Sequence, residues 1–286
     1  MGLPMARNLI DGGYPVTVFD LDEGLMGKAE RLGASPSVSA SETASKSNII
    51  ITMVPDSPHV EAVITGPSGI IEGIKEGSVV IDMSTIDPET GKKMAELLES
   101  KGVNFIDAPV TGGVGGAEAG TLSILVGGNA EVFERALPVL NVLGGDVSHM
   151  GPVGSGHTTK IANQLIGVAT LAGMAEAFVL AKKSGLDMQT FFDAVKNGAG
   201  RSWALETLGP KILAGDFEPG FMVKHMQKDL RLANQLAEET GTSLPTSTLI
   251  AQLYRSIQAD SPEATSQGHQ ALVQAIEKLS NDQARL

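Results

Sequence analysis

Cysteine is absent from all 286 residues, which excludes disulfides and thiolate–metal sites. No other metal-ligand set is read from the sequence. The absence suits a reducing compartment, and a cytoplasmic location is expected. A basic stripe is absent too. The chain has 21 lysines and arginines against 33 acids, a net charge of −12. Such a chain has nothing to displace the counterions of a nucleic acid, so no nucleic-acid partner is expected. The N-terminus has no basic segment followed by an apolar one, so no secretory signal is read. The longest apolar run, 161–181, contains Asn163, Gln164 and Glu176. Those groups are costly in hydrocarbon, so the run reads as a buried helix rather than a membrane span. The final Ala284-Arg285-Leu286 is only faintly like a peroxisomal address. Repeats and low-complexity segments are missing. What is present is a chain that is 42% hydrophobic and long enough for two domains with cores of their own.

Up to about Gly151, short apolar runs alternate with helical stretches. The runs Val16–Asp20, Ile49–Val54, Val79–Met83, Val103–Ala108 and Thr121–Gly127 read as strands. "NIIITMVP" and "SVVIDMS" are apolar without alternation, as strands covered on both faces are. Helices are predicted at 23–32, 59–64, 88–100 and 130–143. The third has Asp87 as N-cap, Pro88 in its first turn and Gly102 as its stop. This alternation predicts a doubly wound α/β domain over 1–151. Beyond it the β signal ends, and 152–286 reads as all-α. A long helix opens that region with "GSGHTTKIANQ", ends near Lys182, Lys183 and Gly185, and is expected to be packed all round. Further helices are predicted at 188–196, 223–240, 244–259 and 265–279.

Ligands of open α/β sheets bind beyond the carboxyl ends of the strands. After the first visible strand, "FDLDEG" offers Asp20 to the ribose hydroxyls of a dinucleotide, while Asp22 reads as a capping acid. No arginine follows closely to hold a 2′-phosphate, so NAD is favoured over NADP. "MVPDSPHV" and "DMSTIDP" place tight turns and the Thr85 hydroxyl at the next two strand ends, although Thr85 alone would read as a helix-start residue. In "DAPVTGGVGG", Thr111, Gly112 and Gly113 can turn several amides toward one anion, such as a substrate carboxylate. On the long helix, Lys160 shares a face with Asn163 and Gln164. A lysine on an otherwise apolar helix is unusual and could pass a proton to a substrate oxygen. His157, one turn earlier, reads as a helix-start residue. Lys228 and Asp229 read as a surface pair.

Taken together, "PMARNLIDGGYPVTVFD", "DAPVTGGVGGAEAGTLSILVGG", "GSGHTTKIANQ" and "MQKDLRLA" resemble the β-hydroxyacid dehydrogenase family in order and spacing. That family includes 3-hydroxyisobutyrate dehydrogenase and tartronate semialdehyde (2-hydroxy-3-oxopropionate) reductase. The resemblance implies a Rossmann domain joined by a long helix to an all-α domain. It also implies hydride transfer between NAD(H) and a small 3-hydroxy carboxylate. By resemblance, Lys160 is the catalytic lysine and Asn163 its partner, and Thr111, Gly112 and Gly113 hold the substrate carboxylate. Val54, Pro55, His59, Thr85 and Lys228 take cofactor contacts. Gly2 stands where the last glycine of a G-x-G-x-x-G motif would be, and the first strand and earlier glycines of that motif are read as missing. Gln164, "SPHV" and "IIEG" resemble the reductase branch, whereas "GAGRSW" resembles the hydroxyisobutyrate branch. A 6-phosphogluconate-type enzyme would need a basic phosphate site that is not seen. A non-catalytic relic lacking the cofactor loop is the alternative of another class. A homodimer or homotetramer is expected, with no membrane partner.

Overall fold

The computed structural model describes residues 1–286 and divides into two compact units, Met1–Lys160 and Ile161–Leu286. The first unit runs α1 (Gly2–Asp11), β1 (Thr17–Val18), α2 (Glu23–Arg31), β2 (Ser35–Pro36), α3 (Ala40–Ser45), β3 (Ile49–Thr52), α4 (Ser57–Thr65) and α5 (Ile70–Gly73). It continues with β4 (Val79–Asp82), α6 (Pro88–Glu99), β5 (Asn104–Asp107), β6 (Val110–Thr111), α7 (Gly113–Ala119), β7 (Leu122–Gly127), α8 (Ala130–Leu143) and β8 (Gly144–Gly151).

Strands β3, β4 and β5 pair in parallel, with Ile51 beside Ile81 and Ile81 beside Ile106. Strand β4 is buried at every residue, as its unbroken apolar run requires. The sheet is mixed beyond β5: β7 runs antiparallel to β5 and β6, and β8 runs parallel to β7. Strands β1 and β2 form a separate parallel pair. One core cluster, with Ile81, Ile106, Leu122 and Ile124, packs with Met5 of α1 and with α8. A second, with Val80, Ile86 and Leu98, packs with α4 and α6.

Local signals account for the helix starts. Asp22 accepts the amides of Gly24 and Leu25, Asp87 that of Thr90, and Asn129 those of Glu131 and Val132. Several elements of this unit have no counterpart among the predicted ones: strands β2, β6 and β8 and the short helices α3, α5 and α7. The glycines that suggest a loop serve turns here: Gly112 and Gly120, flanking α7, both have positive φ.

The second unit is helical. Helix α9 (Ser155–Lys183) begins in the first unit and continues into the second. It is followed by α10 (Met188–Val195), α11 (Trp203–Leu213), α12 (Val223–Thr240), α13 (Pro245–Asp260) and α14 (Val273–Ser280). The predicted helix at 265–279 is corrected: Pro262–Ser266 and His269–Leu272 are 3₁₀ turns, and the α-helix starts only at Val273. With a mean hydropathy of 1.6, α9 is long and apolar enough to cross a membrane, yet Val168, Leu171 and Phe178 lie in the core of this unit. It is not packed all round, however. Ile166 and Leu180 are 68% and 69% exposed, and Ala162, Gly173 and Ala177 lie open beside them.

Candidate active site

The candidate residues of the first unit follow the C-terminal ends of its parallel strands. Val54 and Pro55 come just after β3, and the Val54 amide donates to Ser84 Oγ at 2.9 Å. Ser84 stands in the turn after β4, next to the half-buried Thr85. His59 lies exposed in the first turn of α4. Asp20 is exposed beyond β1, and its Oδ1 accepts the Asp22 amide at 2.9 Å. Gly2 opens α1, whose first turn has no side-chain cap. The donors and acceptors of this end fit a dinucleotide. Uncapped amides of a helix N-terminus suit a pyrophosphate, and an exposed carboxylate suits ribose hydroxyls.

Thr111 ends β6, and Gly112 and Gly113 follow with φ of 128° and 64°. Consecutive positive-φ residues lead into α7, whose N-terminus also lacks a side-chain cap, so free amides are gathered for an anion. From the other end, α7 is held by α1. Asn8 Nδ2 donates to the Ala117 carbonyl, and an Arg7 guanidinium nitrogen to that of Glu118, both at 2.7 Å.

Lys160 is 6% exposed on the first turns of α9. Asn163 and Gln164 follow on the same helix. Asn163 Nδ2 donates to Gln164 Oε1 at 3.2 Å, and Gln164 Nε2 donates to Asp229 Oδ2 at 2.6 Å. Lys228 Nζ lies 2.9 Å from Asp229 Oδ1. The surface-pair reading of Lys228 and Asp229 is therefore corrected. The side chains are only 14% and 2% exposed, and Asp229 is paired with both Lys228 and Gln164.

The reading of His157 as an ordinary helix-start residue is also corrected. It is fully buried, with Nε2 3.2 Å from Asp82 Oδ2 and Nδ1 3.6 Å from Asp107 Oδ2. Asp82 and Asp107 are likewise fully buried, and sequence reasoning passed over both. Their signal was present: each closes an apolar strand with an acid, in "VVID" and "NFID". Asp87 is a further buried acid. Burial raises its pKa, but hydrogen bonds from Ser57 and Thr90 outweigh that and hold it below the usual carboxylate range.

Comparison with known proteins bears on the family. Residues 1–151 match the family described as the NAD binding domain of 6-phosphogluconate dehydrogenase. Residues 154–276 match the NAD-binding family of NADP-dependent 3-hydroxyisobutyrate dehydrogenase. The chain is 40% identical to 3-hydroxyisobutyrate dehydrogenase of Pseudomonas aeruginosa, over 89% of this chain and 88% of that one. It is 37% identical to 2-hydroxy-3-oxopropionate reductase of Escherichia coli, over 98% and 95%. The solved 3-hydroxyisobutyrate dehydrogenase of Mycobacterium tuberculosis with L-serine superposes with a TM-score of 0.88 at 33% identity, over 96% of this chain and 95% of that one. With an N-terminal Rossmann unit, a helical C-terminal unit and these matches, the chain belongs to the β-hydroxyacid dehydrogenase family, NAD-dependent enzymes acting on CH–OH groups.

Proposed function

We propose that the substrate is a small 3-hydroxy carboxylate, 3-hydroxyisobutyrate, oxidised reversibly to its semialdehyde. The observation that carries this reading is the buried Lys160, in the same unit as the uncapped Gly112–Gly113 turn. An ammonium suits a hydroxyl oxygen, and a turn of free amides suits a carboxylate. "GAGRSW", where Ser202 caps α11, supports the hydroxyisobutyrate branch.

Oxidation of CH–OH to a carbonyl releases a hydride and a proton. Bound NAD supplies the hydride acceptor; Gly2, Asp20, Val54, Pro55, His59 and Thr85 are the residues of the first unit that would hold it. The exposed Asp20 carboxylate would repel a 2′-phosphate, which favours NAD over NADP. Lys160 Nζ, as the free amine, accepts the proton of the substrate hydroxyl and becomes an ammonium. In reduction its ammonium polarises the carbonyl and returns the proton. Thr111, Gly112 and Gly113 hold the carboxylate and so fix the reacting carbon. Positioning of this kind supplies roughly 7–11 kcal/mol of such a barrier. Asn163 orients the lysine.

The second reading is 2-hydroxy-3-oxopropionate reductase, favoured by Gln164, "SPHV" and "IIEG". A steady-state panel of 3-hydroxyisobutyrate, tartronate semialdehyde and related acids, with NAD(H) and NADP(H), separates the two. The expected result is the highest kcat/KM with 3-hydroxyisobutyrate and NAD. A preference for tartronate semialdehyde would transfer the assignment to the reductase. Absence of turnover together with absence of saturable NADH binding would support the relic. The exposed apolar stripe of α9, with Ile166 and Leu180, supports a homodimer or homotetramer, which light scattering of the purified chain tests.

A further inference from the structure

The cluster formed by Asp82, Asp107 and His157 is buried completely, yet the proposed chemistry uses none of the three. Buried ionisable groups carry a desolvation cost that an apolar core would avoid, so their arrangement calls for a reason. Asp107 Oδ1 accepts the Gly154 amide at 2.7 Å, and its Oδ2 accepts the His157 amide at 2.8 Å. One carboxylate at the end of β5 thereby satisfies amides at the start of α9 and sits at the positive end of its dipole. The imidazole of His157 then reaches Asp82 at the end of β4. Asp82 in turn accepts from Thr52 Oγ1 at the end of β3, at 2.7 Å, and from the Ser84 amide at 3.3 Å.

Three parallel strand ends and one helix start thus meet at His157, whose ring bonds Asp82 and whose backbone amide bonds Asp107. Each lies next to a candidate functional segment: Thr52 before Val54, Asp82 before Thr85, Asp107 before Thr111, and His157 one turn before Lys160. Glycines wall the cluster where no Cβ would fit. A Cβ at Gly91 would lie 2.9 Å from His157 Nδ1, one at Gly127 would lie 2.5 Å from Asp107 Oδ1, and one at Gly156 would lie 2.8 Å from Asp107 Oδ2.

We propose that His157 is a positioning residue for Lys160. Clamped between Asp82 and Asp107, it fixes the first turn of α9 against the strand ends, and so sets Nζ at the height of a substrate held by the Thr111–Gly113 turn. The inference rests on the proposed role of Lys160, but the clamp itself is read out independently.

The test compares the wild-type chain with His157→Ala, His157→Gln and Gly91→Ala. Steady-state kinetics, NADH titration and amide hydrogen exchange of residues 154–160 are measured on each. A misplacement of about 1 Å costs on the order of 100-fold, so His157→Ala should lower kcat by about that factor. Its substrate KM and NADH affinity should stay close to wild type. Exchange over 154–160 should accelerate. Gln, which can still donate to Asp82, should restore most of kcat and protection. Gly91→Ala, which crowds the imidazole without removing it, should give the same split as His157→Ala and carries the test if that variant does not fold. Unchanged kcat despite faster exchange would overturn the proposal. So would a joint loss of kcat, NADH binding and global protection without rescue by Gln, the mark of a purely structural residue. If the wild type turns over no 3-hydroxy acid, the reaction assignment fails on its own. In that case, equal protection of 154–160 in His157→Ala and wild type would overturn the clamp.

Discussion

Gln164 Nε2 and Asp229 Oδ2, 65 positions apart in sequence, lie 2.6 Å from each other, and the same carboxylate holds Lys228 through its other oxygen. Asp229 is 2% exposed, so its charge depends on these partners for solvation. Asp229→Ala removes the anchor of Lys228 and should destabilise the chain by about 3 kcal/mol. Gln164→Ala should cost about 1.5–3 kcal/mol, as loss of one hydrogen bond to a charged group does. A double-mutant cycle in urea should return a coupling of about 1–3 kcal/mol. Additive single effects would show that the contact contributes nothing of its own.

Lys160→Ala should abolish turnover while leaving NADH binding within about threefold of wild type, a change below 1 kcal/mol. Lys160→Arg should not rescue it, because a guanidinium does not release a proton near neutral pH. Steady-state assays and NADH fluorescence titration check both statements. Near-normal turnover in the alanine variant would remove Lys160 from the mechanism.

Asn8 ties α1 to α7 through the Ala117 carbonyl, at the far end of the helix that the Gly112–Gly113 turn starts. Asn8→Ala should lower stability by about 1 kcal/mol. It should also raise KM for the hydroxy acid with little change in kcat, because the carboxylate turn loses support while Lys160 is untouched. A fall in kcat with an unchanged KM would contradict that link.

The sequence was most legible where a signal is local. The helix at 130–143 was legible as α8, and Asp87-Pro88 marks the start of α6, because capping and period act within one turn. Lys160 stood out for the same reason, as a lysine among apolar neighbours. What stayed hidden depends on distant partners. The interior position of His157 comes from Asp82 and Asp107, 75 and 50 residues away. That of Asp229 comes largely from Gln164 on another helix. The region before Val273 has helical periodicity, yet the Tyr254 hydroxyl claims the His269 carbonyl and the backbone there tightens into 3₁₀ turns.

The same region predicts how stability responds to acid. His269 is 8% exposed, and burial pushes its pKa down to about 4, although its ring nitrogen Nδ1 lies 3.2 Å from the Phe221 carbonyl. In the unfolded chain it would titrate near 6.5. Between these values the unfolded state binds more protons, so stability rises with pH across that window. The contribution is complete above the unfolded value and is lost as pH falls toward about 4. At 1.36 kcal/mol per unit, its size is roughly 3 kcal/mol. Half-buried His225 has the same sign: burial first, then Lys224 and Lys228, lower its pKa. Asp87, whose pKa is lowered from 3.8, acts only at more acid pH. Urea unfolding of wild type and His269→Gln at several pH values from 7.5 down to 4 isolates the His269 share, since the other groups are common to both proteins. Wild type should lose more stability than the variant, by up to about 3 kcal/mol. Parallel curves would show that His269 does not remain neutral in the folded chain.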